Sequence, residues 1–417
     1  MTSRNDHADT TRRQFLGQAS CSAIGSTSLF STLLALRGAG ALASTSTAPG
    51  RRIHHAQRID PRGPLPGDDY KALVCLFLAG GNDSFNMLVP RDPASYAEYA
   101  GIRGDLALPA NTLLPITPRT PGDGRTYGLH PGMPEMQQRF DSGDVAFLAN
   151  VGSLVEPTTL NGILSGANRL PLGLYSHIDQ ITHWQTGVPD QRIGRGWGGR
   201  MADLLRASNG DSSVSMNLSL SGTNIFQAGT QVIPYAIQPS GSVGIRGYGD
   251  AAPIDQLRTA AINSILGQQY QNLFMDTFAS TTRGAIDAHL LFSDAIAGVA
   301  PFTTAFSANE LSQSFRMIAR TIAARQTLGV RRQTFFVLFG GWDHHDEVLN
   351  AQGAMLPMVS KALSEFQTAL GEIGAQQDVV TFTASDFART LTSNGQGSDH
   401  AWGGNHIIMG RPRPDRP

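Results

Sequence analysis

Lys71-Ala72-Leu73-Val74-Cys75-Leu76-Phe77-Leu78-Ala79 is an almost unbroken apolar run, closed by Gly80-Gly81-Asn82-Asp83. A strand with one wet face alternates apolar and polar residues. Continuous apolarity instead suits a strand covered on both faces, as in a parallel sheet between helix layers. Residues 144–151 (DVAFLANV) repeat the design after a helical stretch over 133–141. Residues 334–339 run into Gly340-Gly341-Trp342-Asp343, and residues 378–383 (DVVTFT) into Ala384-Ser385-Asp386. Three buried-strand candidates thus finish on an aspartate. Helical patterns cover 198–207, 255–279, 309–325 and 353–374; in the last, Met355, Met358, Val359, Ala362, Leu363, Phe366 and Leu370 mark one face. Strands alternating with helices predict an α/β fold, a predominantly parallel sheet covered by helices, with its sites at the carboxyl ends of the strands. Residues 208–248 alternate in short runs such as Val214-Ser215-Met216-Asn217-Leu218. Together with the helical stretch that follows, 208–328 reads as an inserted cap.

The composition is that of a globular chain. Its 417 residues (44.5 kDa) are 41% hydrophobic and 16% charged, enough to bury a large core, which excludes disorder as the dominant state. Lys plus Arg (32) nearly balance Asp plus Glu (33), so there is no global field to draw in nucleic acid. Gly (46) and Pro (23) are abundant without a collagen-like period and predict many tight turns.

The amino terminus carries Thr11-Arg12-Arg13-Gln14-Phe15-Leu16, a moderately apolar run from Ala19 to Leu36, and then Ala41-Leu42-Ala43. This resembles a twin-arginine signal peptide spanning 1–43, so the twin-arginine export machinery is an expected partner and the expected location is periplasmic or secreted. The run is broken by Ser, Thr and Gly and is too weak for a stable membrane span. Removing 43 of 417 residues leaves 374, of which 44–69, rich in Pro, Arg and Ser, reads as a flexible lead-in to one domain over 70–410. Of the two cysteines, Cys21 falls in the leader, so the mature chain, with Cys75 alone, has no internal disulfide.

Asp83, Asp343, His344, His345, Asp386, Asp399, His400 and His406 each follow a strand candidate or sit in a glycine-rich loop. Carboxylates and imidazoles suit Zn²⁺, Mn²⁺ and related divalent ions, which can clamp a phosphoryl or sulfuryl group. A lone strand-end aspartate is more often a turn former or helix cap. Trp342-Asp343-His344-His345 is harder to read that way, and in Asp399-His400-Ala401-Trp402-Gly403-Gly404-Asn405-His406 two imidazoles share a short loop whose glycines permit close approach. Ser176, followed by His177, reads as a helix cap whose hydroxyl is a candidate nucleophile. A Gly-x-Ser-x-Gly elbow at a strand end, a Gly-x-Gly-x-x-Gly fingerprint after the first strand, a Walker lysine and a cysteine cluster are all lacking, which disfavours an ordinary α/β-hydrolase triad and an exported redox protein.

The twin-arginine leader, LVCLFLAGGNDSFNMLVP, YGLHPGMPEM, LYSHIDQITHWQTG, GWGGRM, FGGWDHHDEV, FTASDFARTLTSN and GSDHAWGGNHIIMG together resemble the exported bacterial family termed domain of unknown function 1501. That family is similar to the alkaline phosphatase and sulfatase superfamily of metal-dependent α/β enzymes. The resemblance implies an alkaline-phosphatase-like sheet. It implies Asp83 as a ligand of one metal, Ser176 as nucleophile with Thr182 as the weaker choice, and Asp343 with His345, or less favourably His344, for the other metal. Thr383-Ala384-Ser385-Asp386-Phe387 matches a Thr-Ala-Asp-His motif, with Asp386 as a ligand and Phe387 where a histidine is expected. The last ligand falls to His400 or His406. The metal is a divalent ion: zinc, manganese, magnesium or calcium. The sulfatase Cys/Ser-x-Pro-x-Arg signature is absent, and the atypical tail over 411–417 reads as a truncated or frame-shifted end. These residues predict an exported metal-dependent hydrolase or transferase of phosphate-type or sulfate-type esters, acting on a small-molecule or polymer substrate. The alternative is a non-catalytic exported binding or assembly protein that retains the fold.

Overall fold

A computed structural model describes residues 69–119, 124–209 and 212–411. The expected leader (1–43), the lead-in up to residue 68 and the tail beyond Arg411 lie outside the described residues. In chain order the elements are β1 (Lys71–Ala79), β2 (Leu88–Pro90), α1 (Pro93–Arg103), β3 (Leu114–Ile116), β4 (Tyr127–Leu129), α2 (Pro134–Ser142), β5 (Val145–Val151), α3 (Leu160–Leu164), α4 (His177–Thr186) and α5 (Trp197–Leu205). There follow β6 (Asn217–Ser219), β7 (Tyr235–Gln238), β8 (Gly241–Ser242), α6 (Pro253–Leu266), α7 (Leu273–Ala297), α8 (Glu310–Ala323), β9 (Arg332–Gly340), α9 (Val348–Glu372), β10 (Val379–Ser385) and β11 (Gly404–Met409).

Eight strands form one mixed, mostly parallel sheet in the order β5-β11-β10-β1-β9-β6-β7-β8, and β2, β4 and β3 form a small antiparallel sheet beside it. The unbroken apolarity of β1 has the expected cause. Val74, Leu76 and Leu78 join the large core with Phe315 and Ile318 of α8 and Val359, Leu363 and Phe366 of α9. Cys75 and Phe77 point to the opposite face, where Ile181 and Trp184 of α4 and Trp197 of α5 cover them. Burial contributes about 1.5–3 kcal/mol for each such large side chain. The thiol of Cys75 is free, and burial pushes its pKa well above the usual range.

β1 pairs in parallel with β9 on one side and β10 on the other, in a register that sets Ala79 opposite Gly340 and Leu78 opposite Ser385. The three strands whose sequences run into aspartates are therefore the three central neighbours, and their carboxyl ends lie level. The chain reaches β9 on one flank of β1 before crossing to β10 on the other, and such a switch in strand order opens a crevice at the carboxyl edge.

Three expectations need correction. The region 208–328 is not a separate cap: β6 pairs in parallel with β9 and β7 with β6, extending the central sheet, and α8 supplies core. The single helix expected over 255–279 is two helices, because the chain breaks after Leu266 and restarts at Asn272, whose side chain caps α7. The strand at 144–151 lies at the sheet edge, antiparallel to β11 and largely exposed, rather than buried on both faces. Among the described residues no helix is long and apolar enough to cross a membrane.

Candidate functional site

At the end of β1, Gly80 (φ 121°) and Gly81 (φ 85°) turn the chain in a conformation that L side chains rarely adopt. A Cβ on Gly80 would meet the backbone nitrogen of Asp343 at 2.5 Å, and one on Gly81 the ring of Phe387 at 2.5 Å. This absence of side chains brings the loops after β9 and β10 against the end of β1. The Gly80 amide donates to Asp386 Oδ1 (3.0 Å), and Trp342 N donates to the Ala79 carbonyl (3.1 Å).

His177, at the start of α4, reaches this edge from the helix layer. Its Nδ1 lies 2.7 Å from Asp386 Oδ2 and its Nε2 3.6 Å from Asp343 Oδ2. His400 enters from the loop before β11: its Nδ1 lies 2.8 Å from the Tyr175 carbonyl, and its Nε2 lies 3.5 Å from Asp343 Oδ1. His345 completes the group, with Nε2 at 2.9 Å from His400 Nε2 and 3.1 Å from Asp343 Oδ1, and Nδ1 at 3.2 Å from Asp399 Oδ1. Phe387 packs against the rings of both His177 and His400.

The electrostatics follow from these contacts. Burial works against a charge on His177, but hydrogen bonds to Asp343 and Asp386 outweigh it and hold its pKa up at about 9. Burial likewise opposes the charge of Asp343, yet hydrogen bonds from His177 and Arg389 depress its pKa far below the carboxylate range. His400 is shifted down, first by burial.

Arg389, which sequence reasoning missed, is fully buried. Its Nη2 pairs with Asp343 Oδ1 and donates to the Gly80 carbonyl (2.6 Å). Its Nε donates to the Gly81 carbonyl (2.9 Å) and its Nη1 to the Ser398 carbonyl (3.0 Å). A buried guanidinium needs this many acceptors to offset its lost hydration. The available signal was an arginine three residues beyond a strand-end aspartate; its partners are backbone carbonyls, which no residue pattern displays.

The donor set fits a divalent cation. Within it His177, Asp343 and His400 each offer a ligand atom, all within 4.8 Å of one another. A carbonyl and a carboxylate can only accept, so the Nδ1 atoms of His400 and His177 carry hydrogen and their Nε2 atoms face Asp343; the raised pKa of His177 keeps a proton on its Nε2 too, which a metal would have to displace. The Asp386–His177 pair is the carboxylate–histidine arrangement that orients metal-binding imidazoles.

Other predicted site residues stand elsewhere or in other roles. Asp83 lies past the glycine turn in the interior, where Arg103 Nη2 (2.6 Å) and Ser398 Oγ (2.7 Å) both hold its Oδ2, so a buried cation of the protein occupies it. Asp386 has each oxygen engaged, Oδ1 by Gly80 N and Oδ2 by His177, and is not among the three residues whose ligand atoms converge. His406 is buried on β11 against Trp184, outside the cluster, and burial lowers its pKa to about 4. Of the two histidines, His400 is the one that stands in the cluster. His344 is buried and is not among the three residues whose ligand atoms converge, and its pKa is lowered mainly by burial. Ser176 does cap α4 by position, but its side chain makes no capping bond and has no bond to the cluster among the described residues. Thr182 Oγ1 donates back to the Ile178 carbonyl within the helix.

Fold and site together define an α/β protein with a histidine–aspartate centre at the carboxyl edge of its sheet. Residues 70–410 match the family model of the protein of unknown function DUF1501, and the chain belongs to that family, as its motifs predict. No curated protein matches it. Similar solved structures include Ps i-CgsB (9% identity, TM-score 0.32, covering 82% of this chain and 66% of that one). They also include the alkaline phosphatase of the Antarctic bacterium TAB5 (11% identity, TM-score 0.29, covering 82% and 91%). This chain thus spans slightly less than two thirds of Ps i-CgsB.

Proposed function

We propose that the protein is an exported, metal-dependent hydrolase of phosphate-type or sulfate-type esters, working outside the cytoplasm with one divalent ion held by His177, Asp343 and His400. The observation that carries this reading is the pair of imidazole Nε2 atoms, each oriented by an acceptor on its Nδ1, converging on one carboxylate at the sheet edge. A divalent cation there supplies charge that polarises an anionic ester and favours ionisation of the attacking group. The protein's own groups do the rest. Arg389 fixes Asp343 in its ionised form and adds a permanent positive charge beside it. Asp386 holds the His177 ring in place. His345, half-exposed and tied to Asp399 through Nδ1, sets its Nε2 against His400 and Asp343 and so helps to hold both at the edge of the centre. Water is the nucleophile in this account: the Thr182 hydroxyl is bonded within its own helix, and Ser176 Oγ has no hydrogen bond to the cluster among the described residues.

The test is metal analysis of protein purified without chelators, paired with turnover of aryl phosphates and aryl sulfates by wild type and Asp343→Ala. The expected result is metal-dependent turnover that falls at least 100-fold in the variant. Bound metal without Asp343-dependent turnover of any ester would favour the second reading, a binding protein that keeps the fold, which Phe387, packed against His177 where a histidine is expected, supports.

A further inference from the structure

A second candidate site lies at the far edge of the sheet, where β8 is the terminal strand, three places beyond β9. Between α7 and the loop that follows β8 is a cavity of about 360 Å³. Val243 and Ile245 of the loop and Phe278, Ala285 and Ile286 of the helix supply its apolar wall. The loop is held in place over the helices. The Tyr248 hydroxyl donates to Asn263 Oδ1 of α6 (2.7 Å) and accepts from Arg283 Nη1 of α7 (3.1 Å), and Gly249 N donates to Thr259 Oγ1 of α6 (2.8 Å).

One imidazole stands in this wall. His289 Nδ1 lies 2.8 Å from Ser242 Oγ, which lies 2.5 Å from the Tyr235 hydroxyl, so a chain of three side chains fixes the ring. Its Nε2 has no hydrogen-bond partner among the described residues. It stands over Gly244, also part of the wall, where a Cβ would come within 2.3 Å of it. Gly244 is not in the left-handed region, so its backbone does not require glycine; the missing side chain is what leaves room for the imidazole. No Asp, Glu, Lys or Arg lines the cavity, and an ionised ligand would lose hydration there without a counter-charge. Apolar walls with a few placed polar groups are the usual make-up of a small-molecule site. Since a cavity of roughly 150 Å³ holds one benzene, this one has room for two fused rings.

We propose that this cavity binds an uncharged, mainly apolar small molecule the size of two fused rings, hydrogen-bonded through a hydroxyl to His289 Nε2. A hydroxyl suits either tautomer of the ring, because it can donate or accept. The site shares no residue with the His177–Asp343–His400 centre and does not depend on the ester reading.

Fluorescence titration of the full chain at neutral pH with 2-naphthol, naphthalene and 2-naphthoate tests this. Four variants accompany wild type, each checked by circular dichroism. Ala285→Trp fills the cavity from an exposed helix position, Gly244→Ala crowds His289, Leu204→Ser alters an exposed leucine outside the cavity, and Asp343→Ala removes the centre. One 2-naphthol per chain is expected to bind, about fivefold tighter than naphthalene, the worth of one net hydrogen bond, and tighter than the anionic 2-naphthoate. Binding should be lost in Ala285→Trp, the preference over naphthalene should be lost in Gly244→Ala, and both should persist in Leu204→Ser and Asp343→Ala. No saturable binding, or binding that survives Ala285→Trp, overturns the proposal. So does 2-naphthoate binding as tightly as 2-naphthol, or a preference for the hydroxyl that Gly244→Ala leaves intact. Self-association that Ala285→Trp abolishes, with no 2-naphthol bound, would give the cavity to a second copy of the chain and likewise overturn it.

Discussion

The centre turns on a few side chains whose partners decide their roles. Asp343 receives His177, His345, His400 and Arg389 together, whereas Asp83, an equally plausible strand-end aspartate in the sequence, is claimed by Arg103. Residue type nominated both; only the cation beside each tells them apart. Asp386 acts through His177, so Asp386→Asn should weaken zinc binding by roughly 10–100-fold while circular dichroism stays native. A competitive chelator titration reads this directly, and unchanged affinity would show that the carboxylate does not orient the imidazole. His406 gives a pH prediction that does not involve the cluster. Burial lowers its pKa from 6.5 to about 4, so between those values the unfolded chain holds a proton that the folded chain does not. Stability therefore falls as pH drops from 6.5 towards 4, by up to about 1.4 kcal/mol per unit from this one group. Urea unfolding across that range should show a shallower pH slope in His406→Gln; an identical slope would contradict a buried neutral imidazole.

Among the elements, those that the sequence displayed best are those whose pattern has a single physical cause. The unbroken apolar run of β1 means burial on both faces, and the face marked from Met355 to Leu370 is the buried face of α9. β6, β7 and β8 are four residues or fewer, too short for a period to register, and so the sheet extension was read as a cap. β5 is apolar in sequence yet largely exposed at the sheet edge, a placement that pattern alone does not reveal. The glycine turn after β1 was legible as a permissive turn, but its function is contact. Gly80→Ala must place a Cβ against the Asp343 backbone at a φ of 121°, so it should cost about 2 kcal/mol or more and loosen the centre at the same time. A lowered denaturation midpoint together with weakened zinc binding is the expected outcome; a loss of metal affinity without loss of stability would mean that the turn does not support the sheet end.

At the scale of the whole molecule, the Asp83–Arg103 pair ties the two ends of the chain's functional edge together. Arg103, at the end of α1, also bonds Asn86 Oδ1 and the carbonyls of Thr390 and Leu391, so one buried guanidinium joins the loop after β1 to the loop after β10. Arg103→Met leaves the Asp83 carboxylate buried without its cation and should cost about 3–5 kcal/mol in chemical unfolding, partly restored by adding Asp83→Asn. No recovery in the double variant would mean that the arginine's backbone contacts, rather than the charge pair, hold the loops. Membership in DUF1501 covers the same span, residues 70–410, that the sheet and its loops occupy, and so encloses the whole centre. Anomalous X-ray scattering from crystals of the zinc-loaded protein, recorded at the zinc edge, tests the central claim most directly. The account predicts one anomalous peak per chain, bounded by His177 Nε2, His400 Nε2 and the Asp343 carboxylate, and its disappearance in Asp343→Ala. A peak at Asp83 or His406, or none at the sheet edge, would contradict it.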